Sequence, residues 1–283
     1  MKHIHLVGIG GTGLAPIARV LAERGYQVSG SDQALSPLIR DLESLGIAVK
    51  IGHAAANIEG ADIVVRSSAV NESNPEVAAA LARGIPVLKR SEFLGELLAG
   101  DIPLAVAGTH GKTTTTAMLA WVLSALGEEP SYIIGGTAKN LGRNARAGKG
   151  KWFAIEADEY DNMFLGIHPQ AAIVTTMEHD HPDCFPTPAD YQAAFEKFVA
   201  SLRPGGVLLV SAESASSRGL VNSLPAGCTA RTFGEGGDFS LSDLRTNAAG
   251  GYSFTAGLAG GEQVAVDLQV PGKHNAMNAL AVL

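Results

Sequence analysis

Short apolar runs along the chain alternate with longer segments in which apolar residues recur every three or four positions. Over residues 1–98 this pattern predicts strands at 3–7, 27–30, 63–65 and 86–88, separated by helices at 12–24, 37–45 and 75–83. Strands that alternate with helices are typical of a parallel sheet covered by helices on both faces. We therefore predict a Rossmann-like α/β domain at residues 1–98.

A second unit with the same alternation begins near Gly100. Helices are predicted at 112–126 and 189–202, among strands at 102–107, 152–155, 171–175 and 207–210. After Ala230, short alternating segments separated by glycines predict a small antiparallel appendage at 239–244, 252–256 and 264–270, before a final helix at 276–283. Residues 99–283 are thus predicted to form a central α/β domain that carries this appendage.

The composition excludes several classes of protein. Of the 283 residues, 46% are hydrophobic and 17% are charged, which is typical of a globular protein of about two domains. The net charge of -7 and the dispersed basic residues argue against a nucleic-acid partner. Two cysteines make no disulfide framework, and no signal-peptide pattern or membrane-length apolar run is visible, so we expect a cytoplasmic protein without a membrane partner. No oligomeric state is predicted.

A phosphate-binding loop lies where the first strand of the second unit meets its first helix. The sequence from Ala105 is AVAGTHGKTTTT, in which glycines let backbone N–H groups close around phosphate oxygens at a helix N-terminus. Lys112 would neutralise phosphate charge, and Thr113 would offer its hydroxyl to Mg²⁺. Val106 occupies the first glycine position of the general P-loop pattern, so this loop is a shortened variant. The central domain is therefore predicted to be P-loop ATPase-like, with ATP bound by Gly108, Thr109, His110, Gly111, Lys112, Thr113 and Thr114. His110 either contacts phosphate or fills the turn.

A second glycine-rich loop, GIGGTG at residues 8–13, follows the first predicted strand. It matches G-x-G-x-x-G, and Asp32 follows about 20 residues later, as in sites that bind a diphosphate and a ribose. An NAD-dependent oxidoreductase is one interpretation, but the separate P-loop favours a nucleotide-linked substrate. The glycines could instead serve only close packing of helix on sheet. Ser67 and Ser68 follow a strand at the same sheet edge, where they would line the ligand site or cap a helix.

Acidic and histidine residues follow two strands of the second unit. The strand 152–155 ends in EADEYD, and its carboxyl edge would place Glu156 beside the P-loop as a Mg²⁺ ligand. The strand 171–175 is followed by EHDHPDC, where His181 or an acid would bridge a metal to the transferred phosphoryl group. Zinc bound by His179, His181 and Cys184 is the alternative, although no fourth ligand is visible in the sequence.

Together, the motifs GIGGTG, GTHGKTT, EADEYD, DHPD and PGKHNAMNA resemble the Mur ligase family of ATP-dependent ligases, which build the peptide of bacterial cell-wall precursors. They occur in the family's order over essentially the whole chain, and the shortened P-loop is the family's own form. The glycine loop followed by SGSD is most similar to members that join L-alanine to UDP-N-acetylmuramate. Members that recycle muramyl tripeptide onto the same sugar nucleotide are the nearest alternative.

The resemblance implies roles for individual residues. The UDP diphosphate would be held by Gly8, Gly10, Gly11 and Gly13, within a pocket also lined by Asp32, Ser67 and Ser68. Lys112 and Thr113 would serve ATP and Mg²⁺, with Glu156 and His181 as metal ligands. Adenine would be recognised, or the nucleotide positioned, by His274, Asn275 and Asn278, although Asn275 could instead cap the last helix. Asn140 and Asn144 would approach the sugar or phosphate.

The resemblance also implies a reaction, in which Lys112, Glu156 and His181 form the catalytic set. The lactyl carboxylate would attack the γ-phosphate to give an acyl phosphate, and the amine of L-alanine would then displace phosphate. Glu196 lies where several family members have a carbamylated lysine, with Lys197 adjacent. The family's third domain is not seen after Leu283, so we expect residues 1–283 to bind the UDP-sugar, and ATP weakly, but to ligate poorly or not at all. A non-catalytic regulatory nucleotide-binding module is a further alternative.

Overall fold

The computed structural model describes residues 1–283, which divide into two units. Its strands and helices are numbered here in chain order. The first are β1 (His3–Val7), α1 (Ala15–Glu23), β2 (Gln27–Asp32), α2 (Pro37–Ser44), β3 (Ala48–Ile51), β4 (Ile63–Arg66), α3 (Pro75–Ala82), β5 (Val87–Lys89) and α4 (Arg90–Leu97). They are followed by β6 (Ile102–Ala107), α5 (Lys112–Ala125), β7 (Ser131–Ala138), β8 (Arg143–Arg146), β9 (Trp152–Glu156), β10 (Ala171–Val174), α6 (Pro188–Ala200), β11 (Val207–Ser211), α7 (Ala215–Gly219), β12 (Thr229–Phe233), β13 (Ser240–Thr246), β14 (Tyr252–Gly257), β15 (Gln263–Asp267) and α8 (Lys273–Leu280).

The first unit comprises residues 1–101 and 129–151. Its parallel sheet has the strand order β3-β2-β1-β4-β5. The central strand β1 is buried along its whole length. Because the strand order reverses between β1 and β4, the loops that follow these two strands flank a crevice at the carboxyl edge of the sheet.

Local signals in the sequence set where the helices of this unit begin. Proline lies in the first turn of α1, α2 and α3, where its missing N–H would have no partner in any case. The Ser36 hydroxyl accepts the N–H of Ile39 before α2, and the Asn74 side chain caps α3 in the same way. The start of each helix in turn fixes the loop that precedes it.

The hairpin β7–β8 belongs to the first unit, although it follows α5 in the chain. It packs against α1. Glu23, in the last turn of α1, lies 3.4 Å from an Nη of Arg143 and accepts the backbone N–H of Ala147 at 2.7 Å. These polar contacts and the packing hold the hairpin on the helix.

In the second unit, five parallel strands run in the order β12-β11-β10-β6-β9. A separate antiparallel sheet has the order β13-β14-β15. Because β6 lies between β9 and β10, the loops that follow these three strands leave the same edge of the sheet and meet above β6. Two phenylalanines then fix the segment after β9 on α6, since Phe164 stacks on Phe198 with ring centroids 4.7 Å apart.

The predicted α/β class, with two parallel sheets and a small antiparallel appendage, is confirmed. The sequence analysis missed β3, α4, the β7–β8 hairpin, α7 and β12. Helix α8 begins and ends about three residues before its predicted bounds. Strand β3 has only four residues, three of them exposed, so it lacks the buried apolar run that marks β1 and β4 of the same sheet. Residues 129–151 group with the first unit, whereas the boundary between residues 98 and 99 stays a prediction. None of the helices combines the length and apolar character that a membrane span requires.

A fully buried carboxylate, Glu76, lies within a polar network of the first unit. One of its oxygens accepts the Ser31 hydroxyl and lies 3.4 Å from Nε2 of His5, and the other accepts the side-chain N–H of Asn57. Burial alone would raise the pKa of Glu76. The hydrogen bonds from His5, Ser31 and Asn57 outweigh that effect and lower the pKa from 4.5 to about 2.

We expect Glu76→Gln to lower the free energy of unfolding at neutral pH by about 1–3 kcal/mol, because the neutral amide leaves buried donors poorly matched. Since the folded-state pKa lies below the unfolded one, the ionised carboxylate stabilises the fold above pH 4.5, and this contribution is lost as the pH falls towards 2. Urea unfolding followed by circular dichroism should therefore show that the difference in the free energy of unfolding between wild type and variant becomes smaller as the pH falls from 4.5 towards 2. Glu72→Gln, at an exposed position, is the control. A gap that stays constant with pH would contradict the assignment.

Candidate functional site

The loop between β6 and α5 is built on two glycines with positive φ, Gly108 at 127° and Gly111 at 82°. A Cβ on Gly108 would lie 2.3 Å from the hydroxyl oxygen of Thr175, at the end of β10. The loop is also hydrogen-bonded to that strand end, since the N–H of Thr109 donates to the carbonyl of Thr176 at 2.8 Å. The first N–H groups of α5 have no intrahelical partner, and they adjoin a cavity of about 420 Å³. The cavity is lined by Thr109, His110, Gly111, Lys112, Thr113, Thr114 and Glu156.

Lys112 lies at the first position of α5, with its ammonium folded back over the loop. The Nζ donates to the carbonyl of Gly108 at 2.6 Å and lies 2.9 Å and 3.0 Å from the two carboxylate oxygens of Glu159. Glu159 is fully buried. The predicted phosphate-binding cation is therefore paired with an internal carboxylate.

Tyr191, on α6, connects Glu159 to the side chain of Thr109 in the P-loop. Its hydroxyl donates to Glu159 Oε1 at 3.1 Å and lies 2.9 Å from the Thr109 hydroxyl, which in turn donates to the carbonyl of Glu178 at 2.8 Å. Burial raises the pKa of Tyr191, and the charge of Glu159 acts in the same direction, although the hydrogen bond with Thr109 opposes them. The phenol therefore stays protonated and serves as a donor to the carboxylate.

Thr113 and Glu156 form the oxygen-rich side of the cavity. The Thr113 hydroxyl donates to Glu156 Oε1 at 2.9 Å, so a hydroxyl and a carboxylate lie together at the start of α5. Mg²⁺ binds through one or two protein oxygens and completes its shell with water and substrate phosphates. These two residues fit such a cation, and the described residues contain no group of three or more acidic, His or Cys side chains suited to a metal.

His181 lies in the loop after β10, with a positive φ of 53°. Its Nε2 is 3.8 Å from Glu159 Oε1, which brings it to the buried carboxylate. The Tyr160 ring packs edge-on against the imidazole with centroids 5.2 Å apart, and its hydroxyl donates to Asp183 at 2.9 Å. That hydrogen bond raises the pKa of Tyr160 to about 12. His179 is engaged differently, because its Nε2 lies 2.7 Å from the carbonyl of Phe185.

Helix α8 brings the last predicted residues to the P-loop. Asn278 is largely buried, and its Oδ1 would lie 2.8 Å from a Cβ on Gly111, so the left-handed glycine also makes room for this amide. The side-chain amide of Asn278 donates to Oδ1 of Asn275, and the side-chain amide of Asn275 donates to the carbonyl of Pro271. Each of the two amides therefore already has a hydrogen-bond acceptor within the protein. A cavity of about 350 Å³ adjoins this contact. Its lining comprises His110, Gly111, Thr175, Thr176, Ser211, Glu213, Phe233, Lys273, His274, Met277 and Asn278, but not Asn275.

The first glycine loop lies at the strand-order reversal between β1 and β4. Gly8 has a φ of 84°, and a Cβ there would lie 3.1 Å from Cβ of Ser67, which follows β4. Asp32 accepts the backbone N–H of Gly10 at 2.9 Å through Oδ2 and that of Gln33 at 2.8 Å through Oδ1. One oxygen of this carboxylate therefore holds the glycine loop, and the other holds the backbone that follows β2.

Arg90 completes this first loop. A Cβ on Gly13 would lie 1.9 Å from an Nη of Arg90, so a larger residue there would displace the guanidinium. Gly11 accepts the N–H of Ala15 at the start of α1 through its carbonyl, and Ser68 is exposed beyond β4. The loop, a helix N-terminus and a cation thus share one edge of the first unit, which suits an anionic ligand.

Three predicted residues lie elsewhere. Asn140 is exposed in the turn between β7 and β8. Asn144 lines a different cavity of the first unit, of about 490 Å³, together with Arg19 and Asp41. Glu196 accepts the side-chain N–H of Gln192 one turn earlier on α6. Their predicted roles stay predictions.

Family models match the chain in two consecutive parts. Residues 3–101 match the model described as "Mur ligase family, catalytic domain", and residues 106–283 match the "Mur ligase middle domain". The chain belongs to the Mur ligase family. The predicted family membership is confirmed.

Individual Mur ligases extend the comparison. The chain is 41% identical over its whole length to the UDP-N-acetylmuramate–L-alanine ligase of Frankia alni and 42% identical over 98% of its length to that of Rubrobacter xylanophilus. It spans 50% and 61% of the length of these relatives. The solved UDP-N-acetylmuramate–alanine ligase of Thermotoga maritima is 31% identical, with a TM-score of 0.85 over all of this chain and 64% of that one. The UDP-N-acetylmuramate:L-alanyl-γ-D-glutamyl-meso-diaminopimelate ligase from Neisseria meningitides is 34% identical, with a TM-score of 0.88 over all of this chain and 92% of that one.

Several residues that the sequence analysis did not assign contact or line the candidate sites. Glu159 was read only as part of the EADEYD motif, and burial at this position was the missing signal. Tyr191 and Arg90 lie in or beside helices far along the chain from the loops that they contact, so no local motif marks them. Phe233 and Met277 are further additions, and they line the cavity beside α8.

The crowding at Gly108 gives a prediction about stability. Gly127 also has a positive φ, of 79°, but a Cβ there would meet nothing within 4 Å, so Gly127→Ala should cost only the left-handed backbone penalty of about 1–2 kcal/mol. Gly108→Ala should cost about 1–3 kcal/mol more, because its methyl group overlaps Thr175 and the carbonyl of Thr176. Urea unfolding measures both variants, and equal losses would show that the loop is not packed as described.

Proposed function

We propose that residues 1–283 carry the sugar-nucleotide and ATP sites of an ATP-dependent, amide-bond-forming ligase. The substrates would be UDP-N-acetylmuramate, held by the first glycine loop, and ATP, held by the P-loop, with L-alanine as the incoming amine. The proposal includes the peptidoglycan-precursor role and the cytoplasmic location expected from the sequence. The observation that carries it is the convergence of Lys112, Thr113 and Glu156 on one cavity at the N-terminus of α5. The activity named for the relatives from Frankia alni and Rubrobacter xylanophilus supports the choice of substrates.

In the proposed reaction, a carboxylate oxygen of the sugar nucleotide bonds to the γ-phosphorus of ATP as the bond to the ADP oxygen breaks. The L-alanine amine then attacks the acyl carbon, inorganic phosphate leaves, and the amine loses a proton. Lys112 would neutralise the charge on the phosphoryl oxygens, which is the dominant requirement of phosphoryl transfer. Mg²⁺, held by Thr113 and Glu156, would supply further charge neutralisation. His181 would lie next to the transferred group on the neighbouring loop.

Two other assignments are separated from this one by particular observations. A muramyl-tripeptide ligase is supported by the overlap with the Neisseria meningitides structure, which the chain covers to 92%. An NAD-dependent oxidoreductase is disfavoured, because a separate P-loop is not needed for hydride transfer and both family models that match the chain are Mur ligase models. The alanine ligase is preferred because several curated relatives at 40–42% identity carry that name.

We expect Lys112→Ala to weaken binding of Mg-nucleotide to residues 1–283 at least about tenfold, since a charge-assisted contact to phosphate is lost. Isothermal titration calorimetry with MgADP and with UDP-N-acetylmuramate measures the two sites separately. Binding of the sugar nucleotide should not change in this variant. Lys197→Ala, at an exposed position on α6, is the control and should bind both ligands as wild type does. Unchanged MgADP affinity in Lys112→Ala would exclude the proposed ATP site.

Gly13→Ala should have the opposite effect to Lys112→Ala, weakening binding of the sugar nucleotide but not of MgADP. Its methyl group would occupy the place of the Arg90 guanidinium, so we expect UDP-N-acetylmuramate to bind at least about threefold more weakly while MgADP binding is retained. The same titrations check both results. A variant that binds the sugar nucleotide normally would show that the diphosphate does not use this loop.

The choice of amine is tested in the complete protein by UDP-N-acetylmuramate-dependent phosphate release. L-Alanine, glycine, L-serine and the tripeptide are compared side by side, and the proposal requires L-alanine to be the preferred acceptor. Preference for the tripeptide would assign the recycling reaction instead. For residues 1–283 alone we propose binding without efficient ligation, which robust peptide-bond formation would contradict.

A further inference from the structure

The ammonium of Lys112 has a competitor for any phosphate that enters the P-loop. Glu159 places both carboxylate oxygens within 3.0 Å of Nζ and is fully buried. Its Oε2 has no hydrogen bond of normal geometry and depends on the charge of Lys112. Withdrawing the lysine towards a phosphate would therefore weaken the neutralisation of a buried carboxylate, which is unfavourable.

Two groups besides Lys112 lie near this carboxylate. The Tyr191 hydroxyl donates to Oε1 at 3.1 Å, and Nε2 of His181 is 3.8 Å from the same oxygen. The tyrosine bond does not depend on where the lysine is, because Tyr191 is held on α6 by its own packing against Phe195 and Phe185. Tyr191 can thus continue to stabilise Glu159 when Lys112 moves.

We infer that Glu159 and Tyr191 are a pair of positioning residues that set the affinity of the P-loop for a nucleotide, with Glu159 holding Lys112 away from phosphate and Tyr191 lowering the cost of its release. The inference rests on the proposed ATP site. Neither residue needs to touch the nucleotide, since both act through the position and charge of Lys112. The loop would select ligands with enough negative charge to draw the lysine from its internal partner.

If Glu159 and Tyr191 act in this way, two conservative variants should change the nucleotide affinity in opposite directions. Glu159→Gln keeps the shape of the side chain but removes its charge, so Lys112 becomes free for phosphate, and nucleotide should bind about three- to tenfold more tightly. Tyr191→Phe removes only the hydroxyl, so Glu159 depends more strongly on Lys112, and nucleotide should bind about threefold or more weakly. A general loss of structure around the loop would weaken binding in both variants.

The experiment is calorimetric titration of residues 1–283 with ADP and with a non-hydrolysable ATP analogue, each with Mg²⁺ and with EDTA. Four proteins form a double-mutant cycle: wild type, Glu159→Gln, Tyr191→Phe and the combined variant. The weakening caused by Tyr191→Phe should disappear when Glu159→Gln is also present, because no buried charge remains to be stabilised. Tyr252→Phe, on the antiparallel sheet, controls for loss of a hydroxyl, and thermal unfolding of each protein monitors the fold.

Opposite shifts that are coupled in the cycle would support the inference. Weaker binding in Glu159→Gln, or an equal effect of Tyr191→Phe in both backgrounds, would overturn it while leaving the ATP site intact. A loss in Glu159→Gln seen only with Mg²⁺ would also overturn it, since Glu159 would then act on the metal. If Glu159→Gln does not fold, the change in nucleotide affinity caused by Tyr191→Phe decides the question. Tighter nucleotide binding in Tyr191→Phe would then refute the inference. Absence of nucleotide binding in wild type would overturn the inference together with the proposed ATP site.

Discussion

The buried ion pair between Lys112 and Glu159 is the interaction on which the second unit's site depends. A carboxylate without access to water is tolerated only when a cation and hydrogen-bond donors surround it. Here the cation comes from the loop after β6, the carboxylate from the segment after β9, and a phenolic donor from α6. The loop after β10 adds His181 and the carbonyl of Glu178, which accepts the hydroxyl of Thr109. One buried charge thereby requires four parts of the chain to be in place together.

The remainder of the site follows from parallel strand order. Since β6 lies between β9 and β10, the residues that follow these strands meet without further arrangement, and Thr113 finds Glu156 within hydrogen-bond distance. Each motif directly follows an apolar strand, so the sequence indicates which loop carries it, while the ligand roles stay predictions. The glycines, Lys112, Thr113, Glu156 and His181 could be placed from the sequence on that basis, as could the α/β class itself.

Contacts between distant segments could not be predicted in this way. Tyr191 lies in an amphipathic helix, and the sequence pattern of that helix indicates only that one of its faces is buried, not which residue contacts Glu159. Asn278 is predicted to recognise adenine or position the nucleotide, which stays a prediction. Its contact with Gly111 depends on how α8 packs on α5, which no local pattern encodes. Asp32 matches the ribose position of a common motif, and its bond to the backbone of the first glycine loop was not predicted; its role towards a ligand stays a prediction. The β7–β8 hairpin was missed because adjacent glycines within β7 are typical of a loop.

The two units are made of interleaved stretches of chain, since the backbone passes from one to the other after residues 101, 128 and 151. During synthesis, the first unit therefore remains without its hairpin until residue 151 has been made, and by then β6 and α5 already exist. Residues 1–101, released alone, would leave the hairpin-binding surface of α1 uncovered. Each unit is therefore assembled from two separate stretches of the chain, and a single cut of the backbone cannot separate the two units intact.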